Sequence, residues 1–154
     1  VETLKLPRRL VTRSEKEWAQ AKVGSVLAKP ADKRTSAEES HRRWNQHVLD
    51  RFNEQKTHPK FEMELHVLRL GDVAVATNPF ELFLDFGMRM KTRCKAPQTF
   101  IVQLACSSGW YLPTLKAATG GGYSAIIQSN LVGPEGGDVL VNRTVELINA
   151  MWAK

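Results

Sequence analysis

Apolar and polar residues first recur along this chain with the period of a helix. Ser14-Glu15-Lys16-Glu17 has the pattern of a capping box, and Trp18, Ala21, Val23, Val26 and Leu27 follow it. The spacing predicts a helix over 14–28, ended by Lys29-Pro30 because proline disfavours helix in the residue before it. After a polar loop (29–36, KPADKRTS), Ser36-Ala37-Glu38-Glu39 repeats the capping pattern. His41, Trp44, Val48 and Phe52 then predict a second helix over 37–54. Residues 1–12 read as extended, with Pro7 arguing against helix.

From Phe61 the period changes to two. Phe61, Met63, Leu65 and Val67 alternate with Glu62, Glu64 and His66, as in a strand with one wet face. Gly71-Asp72 turns the chain and VAVAT (73–77) returns, which predicts a hairpin. In TNPFELFLDFG (77–87), Asn78 has the position of a cap, Pro79 that of a first helical residue and Glu81 that of a capping-box carboxylate. A helix over 79–94 is expected. TFIVQLAC (99–106) is a near-continuous apolar run that suits a central strand, and 107–114 reads as a loop. A short helical piece near 114–118, a short strand over 123–128 and a last helix over 138–152 complete the pattern. The element order predicts an α/β layered domain with a mixed sheet, a hairpin plus a central strand, and about four helices. The whole is expected to form one compact domain.

At 154 residues the chain can bury a real core, and no apolar run approaches the roughly 20 residues that a membrane helix needs. The net charge of +6 is unevenly placed. Residues 1–60 carry 14 Lys/Arg against 8 Asp/Glu, and residues 61–154 carry 8 against 8. Within 1–60 the bases are interspersed with acids and no recognition motif accompanies them. A solvated helical surface is the expectation, and no nucleic-acid partner. Of the two cysteines, Cys94 ends the predicted helix and Cys106 ends the strand that follows it. They lie roughly 20 Å apart, against the about 7 Å that a disulfide allows, so two free thiols are expected.

Spacing alone yields no complete active site. Glu81 is explained by capping. Trp110 and Tyr111 follow a strand end, where ligand sites of α/β sheets gather, but aromatics there also serve the core. Gly120-Gly121-Gly122 lacks the Lys-Ser/Thr of a phosphate loop, and the four histidines show no metal-binding spacing.

Three segments taken together add a resemblance. VATNPFELFLDFGMRMK (75–91), FIVQLACSSGWYLPT (100–114) and GGGYSA (120–125) resemble the neutral/alkaline ceramidase family and its bacterial relatives. In that family a strand ends in a Pro-Gly-Glu helix start followed by a Gly-Arg-Arg-Leu-Arg-like stretch. Pro79-Phe80-Glu81 and Gly87-Met88-Arg89-Met90-Lys91 stand in those places. A later strand runs into a Tyr followed by Ile-Pro-Thr or a similar triplet, matched by Tyr111-Leu112-Pro113-Thr114, and Tyr123 keeps the family's twelve-residue interval to a second Tyr. The resemblance spans residues 61–153.

The resemblance implies a zinc amidohydrolase acting on a lipid-like amide. The family's metal-binding glutamate falls on Glu81, its metal-binding tyrosine on Tyr111, and a tyrosine near the substrate amide on Tyr123. It also suggests an exported, secreted or periplasmic protein. Phe80 departs from the family glycine, and Cys106 and Ser108 from its Asn and first Tyr. The family's two histidine ligands belong to an upstream segment that none of the four histidines here matches. The zinc site would then be incomplete without an upstream segment of the same protein, and the chain, which opens on Val1, reads as the C-terminal part of a larger catalytic domain. Alone it is expected to bind zinc poorly and hydrolyse nothing. The alternative is a non-catalytic interaction module that keeps the fold without the metal site.

Overall fold

The helical periodicity of the first third is realised in a unit of its own. In the computed structural model, which describes residues 1–153, Leu10–Pro59 forms one unit, and Val1–Arg9 with the chain from Lys60 onward forms the other. In the first unit, α1 (Arg13–Leu27) and α2 (Ser36–Glu54) pack on one another and bury Ala19, Val23 and Val48. Their caps are Thr12 and Thr35 rather than Ser14 and Ser36. Thr12 Oγ1 accepts the Glu15 N–H at 3.2 Å while the Glu15 carboxylate accepts the Thr12 N–H at 2.8 Å. Thr35 and Glu38 repeat the exchange at 3.2 and 2.9 Å. Overlapping Thr-x-x-Glu and Ser-x-x-Glu patterns were available in both places, and each helix uses the earlier one.

The second unit begins with β1 (Glu2–Pro7), which pairs antiparallel with β2 (Lys60–Leu65), with Leu4 opposite Met63 and Leu6 opposite Phe61. The alternation places Leu4, Leu6, Phe61, Met63 and Leu65 in the core, while Lys5 and Glu62 pair outside at 2.8 Å. Then β3 (Val67–Leu70) and β4 (Val73–Thr77) form the expected hairpin through Gly71, whose φ of 61° suits glycine. Further on, β6 (Gln98–Val102) pairs parallel with β4. The order β3-β4-β6 makes a mixed sheet, and the fold is α/β. The middle strand is β4; the apolar run 99–106 supplies only an edge strand and leaves the sheet with positive φ at Leu104 and Cys106.

One face of this sheet is closed by Ala74 and Ala76 against Ile148 of α5 (Pro134–Met151), with Val67 and Ile101 alongside. On the other face Leu68, Val75 and Phe100 stand in one register row, and Leu68 and Phe100 are half exposed at 54% and 50%. Helix α5 starts earlier than expected, with Pro134 in its first turn. A Cβ at Gly136 would lie 2.1 Å from Val132 Cγ1, and one at Gly137 would lie 2.3 Å from Phe86 Cζ, so these glycines permit the close packing of the helix.

The largest departure from the predicted pattern lies at 79–83. The helix starts at Leu84 (α3, Leu84–Arg93), and Phe80–Leu82 is a strand, β5. It pairs parallel with β7 (Trp110–Leu112), inside the stretch expected to be a loop. The 123–128 stretch is not a strand but two 3-10 turns, Tyr123–Ala125 and Ile127–Ser129, after the short α4 (Leu115–Gly120). Among the described residues no helix is long and apolar enough to cross a membrane.

The α2 cap gives a pH signature. A hydrogen bond from Lys29, aided by the Thr35 N–H, holds the Glu38 carboxyl down at about 2 from its ordinary 4.5. A depressed folded value means that the stabilisation is fully present above about 4.5 and is lost as pH falls toward 2. Melting temperatures of the native chain and Glu38→Gln are expected to differ at neutral pH and converge as pH approaches 2. A difference independent of pH would contradict the assignment.

Candidate functional site

Asn78 decides what Glu81 does. Its side-chain Oδ1 accepts the Phe80 N–H at 3.1 Å, a turn closed by asparagine, and its own N–H goes to Val102 O at 2.9 Å. The chain therefore leaves β4 into another extended segment instead of a helix. Phe80 is fully buried and its ring lies over Gly109, where a Cβ would come within 2.4 Å of Cδ1. The bulky Phe80 ring is thus accommodated by Gly109, the residue before β7. The Pro79 carbonyl accepts the Gly109 N–H at 2.7 Å, and Gln103 closes the other edge of β5, its Oε1 accepting the Leu82 N–H at 2.8 Å.

Register then sets the side chains. Glu81 lies opposite Tyr111, between the register pairs Phe80 with Trp110 and Leu82 with Leu112. Alternation turns Leu82 and Leu112 inward and leaves Glu81 and Tyr111 together, half-buried, on the other face. Their side chains hydrogen-bond, and this bond with the anionic carboxylate is the main cause that raises the Tyr111 phenol above its ordinary value of 10. Glu81 is not a capping-box residue: it sits in a strand, and the Phe83 cap position of α3 has no side-chain cap bond.

Tyr123 reaches the same place. Gly121 and Gly122 take φ of 75° and 99° after α4, a turn open to glycine, and bring the chain back. The Tyr123 ring meets Tyr111 edge-on, with centroids 5.9 Å apart at 79°, and is itself 68% exposed. The structure thus brings together Glu81, Tyr111 and Tyr123. A residue not anticipated from the sequence holds this arrangement. Asn130, fully buried, donates from Nδ2 to Tyr111 O at 3.2 Å and to Ser124 O at 2.9 Å, and its Oδ1 accepts from Arg9. Arg9 also donates to Ala125 O at 2.7 Å. The sequence signal was only an asparagine among apolar residues.

A second cluster lies at the carboxyl ends of β4 and β6. His66 is held by Thr77, whose N–H donates to His66 O at 3.0 Å and whose Oγ1 accepts the His66 N–H at 3.2 Å. His66 Nε2 lies 3.0 Å from Glu64 Oε2 and 3.6 Å from Cys106 Sγ. Among the described residues this is the one group of three His, Cys, Asp or Glu side chains close enough to share an ion. Both cysteines are free, as expected, but burial pushes the Cys94 thiol up while Cys106 is exposed.

No protein-family model, no curated protein and no solved structure matches the chain. Its chemistry is therefore read from the side chains themselves. Glu81 and Tyr111 fit half of a zinc donor set. Catalytic zinc sites supply three protein ligands, and among the described residues Glu81 belongs to no group of three His, Cys, Asp or Glu side chains close enough to share an ion.

Two measurements follow from this geometry. The chain contains two tyrosines, so a spectroscopic alkaline titration resolves them. Tyr111 is expected to ionise above the usual range and to move back toward it in Glu81→Gln; a profile unchanged by the substitution would break the pairing. Asn130→Ala strands half-buried carbonyls and is expected to cost about 1–3 kcal/mol in urea unfolding. A change within a few tenths of a kcal/mol would show that the network carries no load.

Proposed function

We propose that the chain is the C-terminal part of the catalytic domain of a zinc-dependent amidohydrolase resembling neutral ceramidase. The proposed reaction is cleavage of the amide bond of a lipid-like substrate. One observation carries this reading: Glu81, Tyr111 and Tyr123, the three positions taken from the resemblance, meet on one face although they come from three separate segments. In the proposed site Glu81 and Tyr111 give two oxygen ligands, and an upstream segment of the same protein gives the two histidines. Zinc, when bound, polarises the amide carbonyl and lowers the pKa of its water. The Tyr123 hydroxyl, on a side chain that is 68% exposed, donates a hydrogen bond to the substrate amide as charge develops on its oxygen.

The open sheet face supports a missing layer. Parallel strands are ordinarily covered on both faces, yet the face bearing Leu68, Leu70, Phe100 and Val102 is exposed. Covering it is a second task for the upstream segment. A non-catalytic interaction module remains the other reading, and the departures at Phe80 and Cys106 from the pattern of the resembled family favour it.

Zinc affinity separates the two. It is to be measured in a Cys106→Ser background, so that the thiol cluster does not contribute, on this chain and on the protein with its upstream sequence. The expected result is weak binding by this chain and tight binding by the longer protein, accompanied by hydrolysis of an N-acyl lipid amide. Both are expected to be lost in Glu81→Ala and Tyr111→Phe. A longer protein that binds no zinc through Glu81 and Tyr111 would favour the module.

A further inference from the structure

We infer that Glu64, His66 and Cys106 form a separate site for Zn2+ or a similar borderline-soft divalent cation. The site uses none of the proposed amidohydrolase residues and goes beyond that reading. Its parts are set by the backbone. The β2 alternation sends Phe61, Met63 and Leu65 inward and Glu62 and Glu64 outward, and His66, two residues on, continues the outward series. Thr77 fixes the His66 backbone from the neighbouring strand. Cys106 arrives from the far end of β6, where the Ala105 N–H is tied to Asn78 O at 3.0 Å. Forty positions of sequence separate His66 from Cys106, and the parallel pairing of β4 with β6 removes that separation.

The spacing is close to that of a coordination shell. A tetrahedral ion with Zn–S of about 2.3 Å and Zn–N or Zn–O of about 2.0 Å holds its ligand atoms roughly 3.3–3.6 Å apart. The observed separations are 3.6 Å from sulfur to nitrogen and 3.0 Å from nitrogen to oxygen, and all three atoms lie within 4.8 Å of one another. A single imidazole nitrogen faces both the carboxylate and the thiol. It carries at most one proton and satisfies only one of them, whereas a cation at the centre satisfies all three. Thiolate with imidazole selects zinc-like ions over Mg2+ or Ca2+, which prefer all-oxygen shells. Three exposed or half-buried protein ligands, from β2, the residue after it and the loop beyond β6, leave a fourth position open to solvent. Binding forms a sulfur–metal bond, and the Cys106 thiol proton leaves to solvent.

Co2+ and Zn2+ titrations of the full chain test this. Co2+ is expected to give a thiolate-to-cobalt charge-transfer band at one equivalent, displaced by Zn2+. Cys106→Ser is expected to abolish the band, and His66→Ala to weaken Zn2+ binding by about 100-fold or more. Cys94→Ser is expected to leave both unchanged, with folding checked by circular dichroism throughout. The three predicted ligands are exposed or half-buried, so their variants should fold. The proposal is overturned if no band forms, if the band follows Cys94, or if Zn2+ affinity is unchanged in both Cys106→Ser and His66→Ala. Loss of binding in Glu81→Ala with retention in Cys106→Ser would instead assign the metal to the other site.

Discussion

Asn78 is the constraint on which both candidate sites depend. It is 1% exposed, and every polar group it carries is used on one junction. Its N–H and Nδ2 both reach Val102 O, its Oδ1 takes the Phe80 N–H, and its own carbonyl takes the Ala105 N–H. The first pair joins the ends of two parallel strands. The Oδ1 bond keeps the following residues extended, which sends Glu81 to Tyr111. The carbonyl bond fixes the loop that carries Cys106 to His66. A buried asparagine left without these partners would lose several hydrogen bonds at once, so local sequence preferences are poor competitors there.

Asn130 does the corresponding work on the other side of the Glu81–Tyr111 pair. It links the backbone of β7 to the turn carrying Tyr123, and Arg9, just past the strand that opens the chain, secures it. The backbones of both tyrosines are therefore placed by contacts that do not use their own side chains. Both polar networks are buried and satisfied at their centres while the groups they position remain half-buried or exposed. This is the arrangement expected where precise geometry is wanted at a surface that a ligand or a further layer of protein can reach.

Much of the fold was legible because it follows from local chemistry. The two capped helices, the alternation of β2 and the β3–β4 hairpin need only neighbours in sequence, and their errors are shifts of a residue or two in the caps. Pro79-Phe80-Glu81 was misread for a definite reason. Asparagine followed by proline and a glutamate satisfies the rules for a helix start, and the same asparagine can close a turn into a strand. The decision came from residues 103–112, through Gln103, Gly109 and the β7 register, which no local window contains. The Glu81, Tyr111 and Tyr123 grouping was reached through a resemblance rather than through spacing. The His66–Cys106 approach was invisible to spacing because it exists only once β4 and β6 are paired.

The central claim is that residues 80–82 are a strand placing Glu81 beside Tyr111. Backbone NMR assignment of the chain tests it most directly. Strand-type shifts over 80–82, helical shifts beginning at 84 and through-space contacts between the Glu81 and Tyr111 side chains are predicted. Helical shifts running continuously from Pro79, with no contact between Glu81 and Tyr111, would contradict the account.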